Sequence, residues 1–447
     1  MESKKLTFRH YLMIGSLIFG MLFGAGNLIF PVHLGQMAGS HWLSAALGFL
    51  ASGVLLPVLG LLAISITQSR GIYELARPVG HSYALLFMIL IYATIGPFFA
   101  TPRTATVPFT IGFAPHISQN QQSLGLLIYS AIFFLLVYFL SSRESKITAL
   151  IGKVLNPVFL VMLFVIFLLA FSSPLSSAAS APITKEYLTG ALTSGLLQGY
   201  NTMDALASIA FGITIVTAVR QFGLKDKKDI ALATAKGGSL GILSIGIIYI
   251  ALILLGAQSV STFGLAENGG ITLTQISHHY MGIFGDALLA TLTTVTCLST
   301  SMGLAIACSQ AFHQLFSRFS YKAILLVYCL LSFAIANLGL DAIISWSLPV
   351  LMFLYPLAIT LILLGVCSPL FHNYALVYKT TTFLTLIPAF FDMLNALPAG
   401  LKETALVQTL LKFAQTYFPF FDLGFGWVCF SLLGLIIGLG GYFMRKK

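Results

Sequence analysis

Twelve long apolar runs separated by short polar stretches constrain this chain more than any other feature. They cover residues 11–35, 42–66, 82–113, 124–140, 147–171, 188–219, 230–255, 284–316, 321–338, 342–366, 380–397 and 421–443. A helix needs about 20 apolar residues to cross the hydrocarbon core of a bilayer, and each run approaches or exceeds that length. Only 8% of the residues are charged and 58% are hydrophobic, against about 25% charged in soluble domains. No soluble fold hides so much apolar surface. The pattern predicts an all-α membrane protein of twelve transmembrane helices, and 447 residues leave no room for a sizeable soluble domain. The polar, basic start at residues 1–10 leads directly into a long run with no small-residue cleavage site. It therefore reads as a cytoplasmic N-terminus before a first span, not as a signal peptide.

Loop charge orients the spans. Lys4, Lys5 and Arg9 precede the first run, and Arg70 and Arg77 follow the second. Arg143, Lys146 and Lys153 follow the fourth, and Arg220, Lys225, Lys227, Lys228 and Lys236 the sixth. Arg318 and Lys322 follow the eighth, Lys379 the tenth, and Arg445, Lys446 and Lys447 end the chain. The other side carries only Lys185, Lys402 and Lys412. The positive-inside rule then places both termini in the cytoplasm. The formal charge of +10 is spent on these loops and forms no basic face, so nucleic acid is excluded as a partner. The five cysteines lie in apolar runs without CxxC or histidine spacing, which argues against a disulfide framework or zinc site. No GxSxG, HExxH or Walker pattern occurs, so no enzyme activity and no organic cofactor are expected.

Runs 1–5 and 6–10 have similar lengths and enter from opposite sides, which predicts two inverted five-helix repeats. The expected organisation is a first repeat at 11–171, an external loop at 172–187, and a second repeat at 188–366. Two additional helices and a basic C-terminus fill 367–447. Each repeat opens on an interrupted helix. The first contains Gly20, then Phe23-Gly24-Ala25-Gly26-Asn27 and Pro31; the sixth contains Gly195, Gly199-Tyr200-Asn201-Thr202-Met203-Asp204 and Gly212. Matched interruptions in two halves point to a transporter's binding site. Glycine used only for close helix packing is the plainer reading of either segment alone.

Asn27, Asp204 and Thr300 each lie about sixteen residues into their runs, so their side chains fall near one level. A carboxylate there needs a partner. A bound cation, a substrate ammonium and Arg103 all fit that requirement for Asp204. The hydroxyl run ending in Thr300 and Ser301 suits a hard cation, or simply bonds back to the preceding turn. Arg103, in a run broken by Pro97, Pro102 and Pro108, either clamps a carboxylate, pairs with Asp204, or anchors helices. Asp286 and Asp392 fall near outer ends and read as solvated, and His278 and His279 as lying in an outer loop.

The motifs at Phe23–Pro31, at Gly96-Pro97 with Pro102-Arg103-Thr104, and at Gly199-Tyr200 with Thr202–Ala207 resemble the branched-chain amino acid cation symporter family, the bacterial carriers of leucine, isoleucine and valine. The resemblance spans nearly the whole chain. It implies a LeuT-type inverted-repeat fold in a bacterial cell membrane, with membrane lipid and a small amino acid as partners. It also implies a sodium site formed by the Gly20 and Phe23 carbonyls, the Cys297 carbonyl, and the Thr300 and Ser301 hydroxyls. Asn27 resembles a second cation site beside the substrate. The substrate carboxylate is expected on the N–H groups of Gly24, Ala25 and Gly26, with its ammonium near Tyr200 and Asp204, and Arg103 close by. Where the family pattern carries a Glu shortly after Pro-Arg-Thr, this chain has Thr110, which leaves sodium and proton coupling both open. A same-fold carrier of another small amino acid or amine, and a membrane amino-acid sensor without transport, stay open as alternatives. The sequence sets no oligomeric state.

Overall fold

The computed structural model describes residues 6–142, 160–224 and 226–446. The expected loop charges at Lys4, Lys5, Arg143, Lys146, Lys153, Lys225 and Lys447, and positions 147–159 of the fifth run, lie outside the described residues. Among those described the chain is helical throughout, without a strand. Seven helices are long and apolar enough to cross a membrane, and three shorter ones are apolar. Large apolar side chains such as Leu124, Ile128, Leu135 and Phe139 are exposed on one outer face. A patch of that kind marks a surface that meets an apolar neighbour.

Several runs fold as interrupted helices. The first divides into α1 (Phe8–Leu22) and α2 (Ala25–Ala38), and the second into α3 (Trp42–Leu50) and α4 (Leu56–Thr67) across a π-helical turn. After the short α5 (Ile72–Ala76), the third divides into α6 (His81–Ala93) and α7 (Ala100–Gly112). Its kink falls at Gly96 (φ −98°, ψ −124°), before Pro97, because proline cannot continue the ladder. Then come α8 (Gln119–Ser142) and α9 (Leu160–Ser172). The sixth run divides into α10 (Lys185–Gly199) and α11 (Asp204–Gln221). Long helices α12 (Lys227–Phe263) and α13 (Gly269–Leu315) follow, then α14 (Tyr321–Ala336), α15 (Leu340–Cys367), α16 (Ala375–Asn395), α17 (Ala399–Lys402), α18 (Ala405–Tyr417) and α19 (Gly426–Lys446).

Three sequence expectations are corrected. His278 and His279 are helical, on the part of α13 that precedes its bend at Gly282 (φ 58°). Asp286 and Asp392 are buried, not solvated. Asp286 faces His278 Nδ1 at 2.7 Å, which removes it from water. The stretch between the last two runs folds into α18, which buries Val407, Leu411 and Ala414 along one side.

Glycines set the closest helix approaches. A Cβ on Gly15 would stand 3.1 Å from the Gly237 carbonyl oxygen and from the Gly241 nitrogen on α12. A Cβ on Gly35 would collide with the Ile253 carbonyl on the same helix, and one on Gly256 with that of Val32. Both halves of the first run therefore seat backbone-to-backbone on α12. The sixth run is treated alike. Gly48 and Gly195 bring α3 against α10, while Gly60 and Gly212 bring α4 against α11. Without a hydrophobic drive between helices in lipid, such small-residue contacts supply the packing. Replacing Gly35 by Val should overpack the α2–α12 seam at a cost of ~1–3 kcal/mol. A lower thermal midpoint of the purified protein in detergent checks this. Gly303→Ala, where a Cβ meets open space, should leave that midpoint unchanged.

Candidate functional site

The first break lies at Phe23 and Gly24, both extended (φ −74°, ψ 108° and φ −136°, ψ −163°). Its cause is local. In a continuous helix the Gly24 N–H would close on the Gly20 carbonyl. Here it donates to Asn27 Oδ1 at 2.8 Å instead, a side-chain acceptor outcompeting the ladder. The Gly20 carbonyl thereby loses its intrahelical donor. The N–H groups of Ala25 and Gly26 open α2 with no intrahelical acceptor, as at any helix start.

The second break runs through a tight 3₁₀ turn at Tyr200–Thr202 and the left-handed Met203 (φ 60°, ψ 13°). Asp204 is the first residue of α11, and its N–H donates to Thr202 Oγ1 at 3.3 Å. The positive end of that helix favours an anion there.

These two breaks meet through side chains. Asn27 Nδ2 donates to Asp204 Oδ1 and Oδ2 at 3.1 and 2.8 Å, and Tyr249 OH donates to Asp204 Oδ2 at 2.6 Å. Asn27 Nδ2 and Tyr249 OH also contact each other. Asp204 and Asn27 are each 2% exposed and Tyr249 is fully buried. The partner that Asp204 requires is thus an amide, a phenol and a helix N-terminus. Arg103 is not that partner, and the two form no ion pair. Asn27 has its carbonyl on Gly24 and its amide on Asp204, so both ends of its amide are engaged within the protein.

Sequence reasoning missed Tyr249. The signal was present: it is the only aromatic residue in the run 230–255, and an isolated phenol in lipid-depth helix calls for an acceptor.

Arg103, 2% exposed, works elsewhere in the same region. Its Nη1 donates to the Asn201 carbonyl at 2.9 Å and its Nη2 to Ser347 Oγ on α15. Its guanidinium carbon lies 5.0 Å from the Phe30 ring centre on α2. One side chain of α7 thereby ties both broken runs to α15. Tyr200 stacks on Tyr355 of α15, with centroids 4.0 Å apart.

Helix α13 closes the site from a third side. Thr300 Oγ1 approaches the Phe23 carbonyl at 3.5 Å and donates to the Thr296 carbonyl at 3.2 Å. A Cβ on Gly24 would stand 3.2 Å from Thr300 Cγ2. Ser301 is fully buried and its hydroxyl has no partner. Cys297 is fully buried on the same helix. Thr300 thus stands beside the Phe23 carbonyl, one turn of chain beyond Gly20.

Between the breaks lies a cavity of about 50 Å³, lined by Gly24, Ala25, Gly26, Asn27, Asp204 and Thr300 among others. Sites for drug-sized ligands hold ~300–1,000 Å³, so this one is contracted. A second cavity of about 230 Å³ lies on the side of the α2 C-terminus, lined by Phe30, His33, Asn201 and Asp341. Asn201, held by Arg103, borders both. Thr110 lines a third and larger hollow of about 860 Å³, beside His278 and Asp286.

Residues 7–445 match the family described as branched-chain amino acid transport protein. The chain belongs to that family. It is 42% identical to the branched-chain amino acid permease BrnQ of Lactobacillus delbrueckii subsp. lactis, over 99% of both chains. It is 37% identical to BrnQ of Bacillus subtilis, over 98% of this chain and 97% of that one. It is 33% identical to BrnQ of Escherichia coli K12, over 97% and 96%. These relatives are permeases, which agrees with a chain that shows no catalytic pattern. Among solved structures the fold is similar to that of Mhp1, a nucleobase-cation-symport-1 family transporter. That likeness has a TM-score of 0.58, covers 98% of this chain and 92% of Mhp1, and comes at 11% identity. A membrane transporter fold is therefore shared where sequence is not.

The Asp204 cluster generates a direct test. Tyr249→Phe leaves Asp204 Oδ2 with Asn27 as its one side-chain donor and should destabilise the family member by ~1–3 kcal/mol. Combined with Asp204→Asn, the two changes should be non-additive by more than ~0.5 kcal/mol in denaturant or thermal melts. Strict additivity would mean that the contact carries no energy.

Proposed function

We propose that this chain is a secondary active symporter that imports leucine, isoleucine and valine together with sodium. The observation that carries the reading is the meeting of two helix breaks around one polar cavity. The substrate names of the 33–42% identical permeases supply the amino acid class.

In this reading the twelve apolar runs are twelve spans, arranged as two inverted sets of five plus two. Both termini lie in the cytoplasm of a bacterial cell. Broken helices at corresponding places in two halves are the usual site of substrate and ion binding in such folds. Sodium is held by the Gly20 and Phe23 carbonyls, the Cys297 carbonyl, and the Thr300 and Ser301 hydroxyls. The Thr300–Phe23 approach and the unpartnered Ser301 hydroxyl support this set. The substrate carboxylate docks on the N–H groups of Ala25 and Gly26, where the helix dipole favours an anion. Gly24, expected to share that role, has its N–H taken by Asn27. The ammonium turns to the broken sixth span, near Tyr200 and Asp204.

Arg103 acts as a strut rather than a carboxylate clamp in this reading. Its Nη1 and Nη2 donors are committed to Asn201 and Ser347, and it stands between the central cavity and the one near the α2 C-terminus. Releasing those two bonds opens the path between them. The apolar walls discriminate weakly among the three substrates, since one methylene is worth ~1–3 kcal/mol.

Radiolabelled leucine uptake into proteoliposomes tests the reading. A sodium gradient should drive accumulation, and isoleucine and valine should compete. Uptake indifferent to both sodium and proton gradients would overturn symport. Thr300→Ala should raise the half-saturating sodium concentration about tenfold, corresponding to ~1.4 kcal/mol, while maximal uptake holds. An unchanged sodium requirement would remove α13 from the cation site.

A further inference from the structure

Asp392 is a buried carboxyl group outside the site just described, besides the His278-bound Asp286. Asp392 on α16 is 1% exposed, and neither of its oxygens has a hydrogen-bond partner. It sits on the inward stripe of that helix with Thr381, Thr385, Pro388 and Ala389, which faces the bundle, not the lipid. Two further orphaned polar atoms belong to the same region. Tyr200 OH, in the break of the sixth run, is buried without a partner and lies within electrostatic reach of Asp392. Trp427 Nε1 on α19 is likewise unpartnered. A Cβ on its neighbour Gly426 would stand 3.7 Å from Asp392 Oδ1. A buried acid without a partner and two buried donors without acceptors thus lie in one part of the interior.

Unpaired buried polar groups are rare and need an explanation. An ionised carboxylate with no hydrogen bond at such a position costs several kcal/mol. A metal cation needs several ligands, and no group of three His, Cys, Asp or Glu side chains that could hold one occurs among the described residues. The remaining occupant is a proton. We propose that Asp392, with Tyr200 and Trp427, forms a proton-binding site behind the broken sixth span, distinct from the sodium position and joined to the substrate position through Tyr200.

The ionisable groups on the elements packed against Asp392 are few. Tyr200 stands on the 3₁₀ turn, and Tyr355 on α15 stacks on the far face of Tyr200. Cys429 lies on α19, whose first charged residue is Arg445 at the opposite end. Lys412 and Tyr417 of α18 and Asp422 of the following turn are exposed, as is Lys379 at the far end of α16 itself. No ion pair to Asp392 is formed among the described residues. A proton arriving or leaving therefore changes the charge beside Tyr200 without a local counter-ion to absorb it. Because Tyr200 opens the turn that breaks the sixth span, its response is carried to Asp204 four residues on. The site makes the break sensitive to pH.

The consequence for uptake rests on the transport reading, but the first measurement does not. Infrared spectra of the full-length protein in lipid at about pH 7 should contain a protonated-carboxyl band that is missing from Asp392→Asn. Spectra identical in that region overturn the proposal, because the group is then ionised. Tyr200→Phe and Asp392→Glu provide variants that keep the carboxyl. Each should move the band, and a band unmoved in both also overturns the proposal. Replacing sodium by choline should leave the band in place. A band that appears only when sodium is withdrawn assigns the site to a metal cation and overturns the proton. In proteoliposomes, uptake at saturating leucine should vary with pH by up to about tenfold per pH unit as Asp392 titrates. In Asp392→Asn that variation should fall below about twofold, and a wild-type profile in this variant counts against the proposal. Wild-type protein that shows the band but no gradient-driven uptake would defeat the transport reading alone.

Discussion

A helix interrupted inside hydrocarbon leaves backbone groups and side-chain charges that water cannot reach, and everything else in this protein follows from meeting that demand. Each unsatisfied group costs several kcal/mol in such surroundings. The first break is stabilised by Asn27, which gives its carbonyl to Gly24 and its amide to Asp204. The second is stabilised by the same acid at the head of α11 and by Arg103 on the Asn201 carbonyl. Neither break is self-sufficient. Each completes the other, and Tyr249 on α12 touches both, donating to Asp204 and accepting from Asn27. The outcome is a polar centre held by cross-span contacts, with a cavity between that is small in the state described here.

Much of this was legible beforehand, and the reasons are physical. Glycine clusters in apolar runs mark breaks because lipid tolerates irregular backbone only around a buried polar space. Phe23–Asn27 and Gly199–Asp204 announced themselves in that way. The level of Asn27, Asp204 and Thr300 followed from the rise of a helix. What escaped was every contact that depends on how helices rotate about their axes. Tyr249 looks like one more apolar residue until α12 turns it toward Asp204. Arg103 offered three partners on sequence grounds, and packing selected Asn201 and Ser347. Asp286 and Asp392 looked solvated because they lie near run ends. Burial there depends on the first part of α13 and on α18 and α19, folded over them. Those coverings are made of polar-looking stretches, His278-His279 and the segment after Pro398, that read as loop.

Asp204 and Asp392 differ in kind. Asp204 accepts from Asn27 and Tyr249. Asp392 has no hydrogen-bond partner on either oxygen. The chain has 13 acidic residues in all, and burying three of them, Asp204, Asp286 and Asp392, is a substantial commitment; Asp286 is held by His278, and the other two diverge. One is built into the scaffold of the breaks; the other is left with unused hydrogen-bonding capacity.

The glycine seams carry a mechanical consequence. Because α1 and α2 both rest on α12 at backbone contact, the gap between them cannot act as a free elbow. α12 is a splint laid across the fracture. The α3–α4 pair splints the sixth run in the same fashion, and α4 leans on α12. Bending either break would require bending its splint or prising apart glycine-tight seams. The cheaper displacement is to carry both fractures, intact, as cargo of one stiff block. The slack that lets a solute pass must then sit where that block meets α7, α13 and α15. That boundary is crossed by single side chains such as Arg103 and Thr300, which can let go and re-engage without any helix being remade.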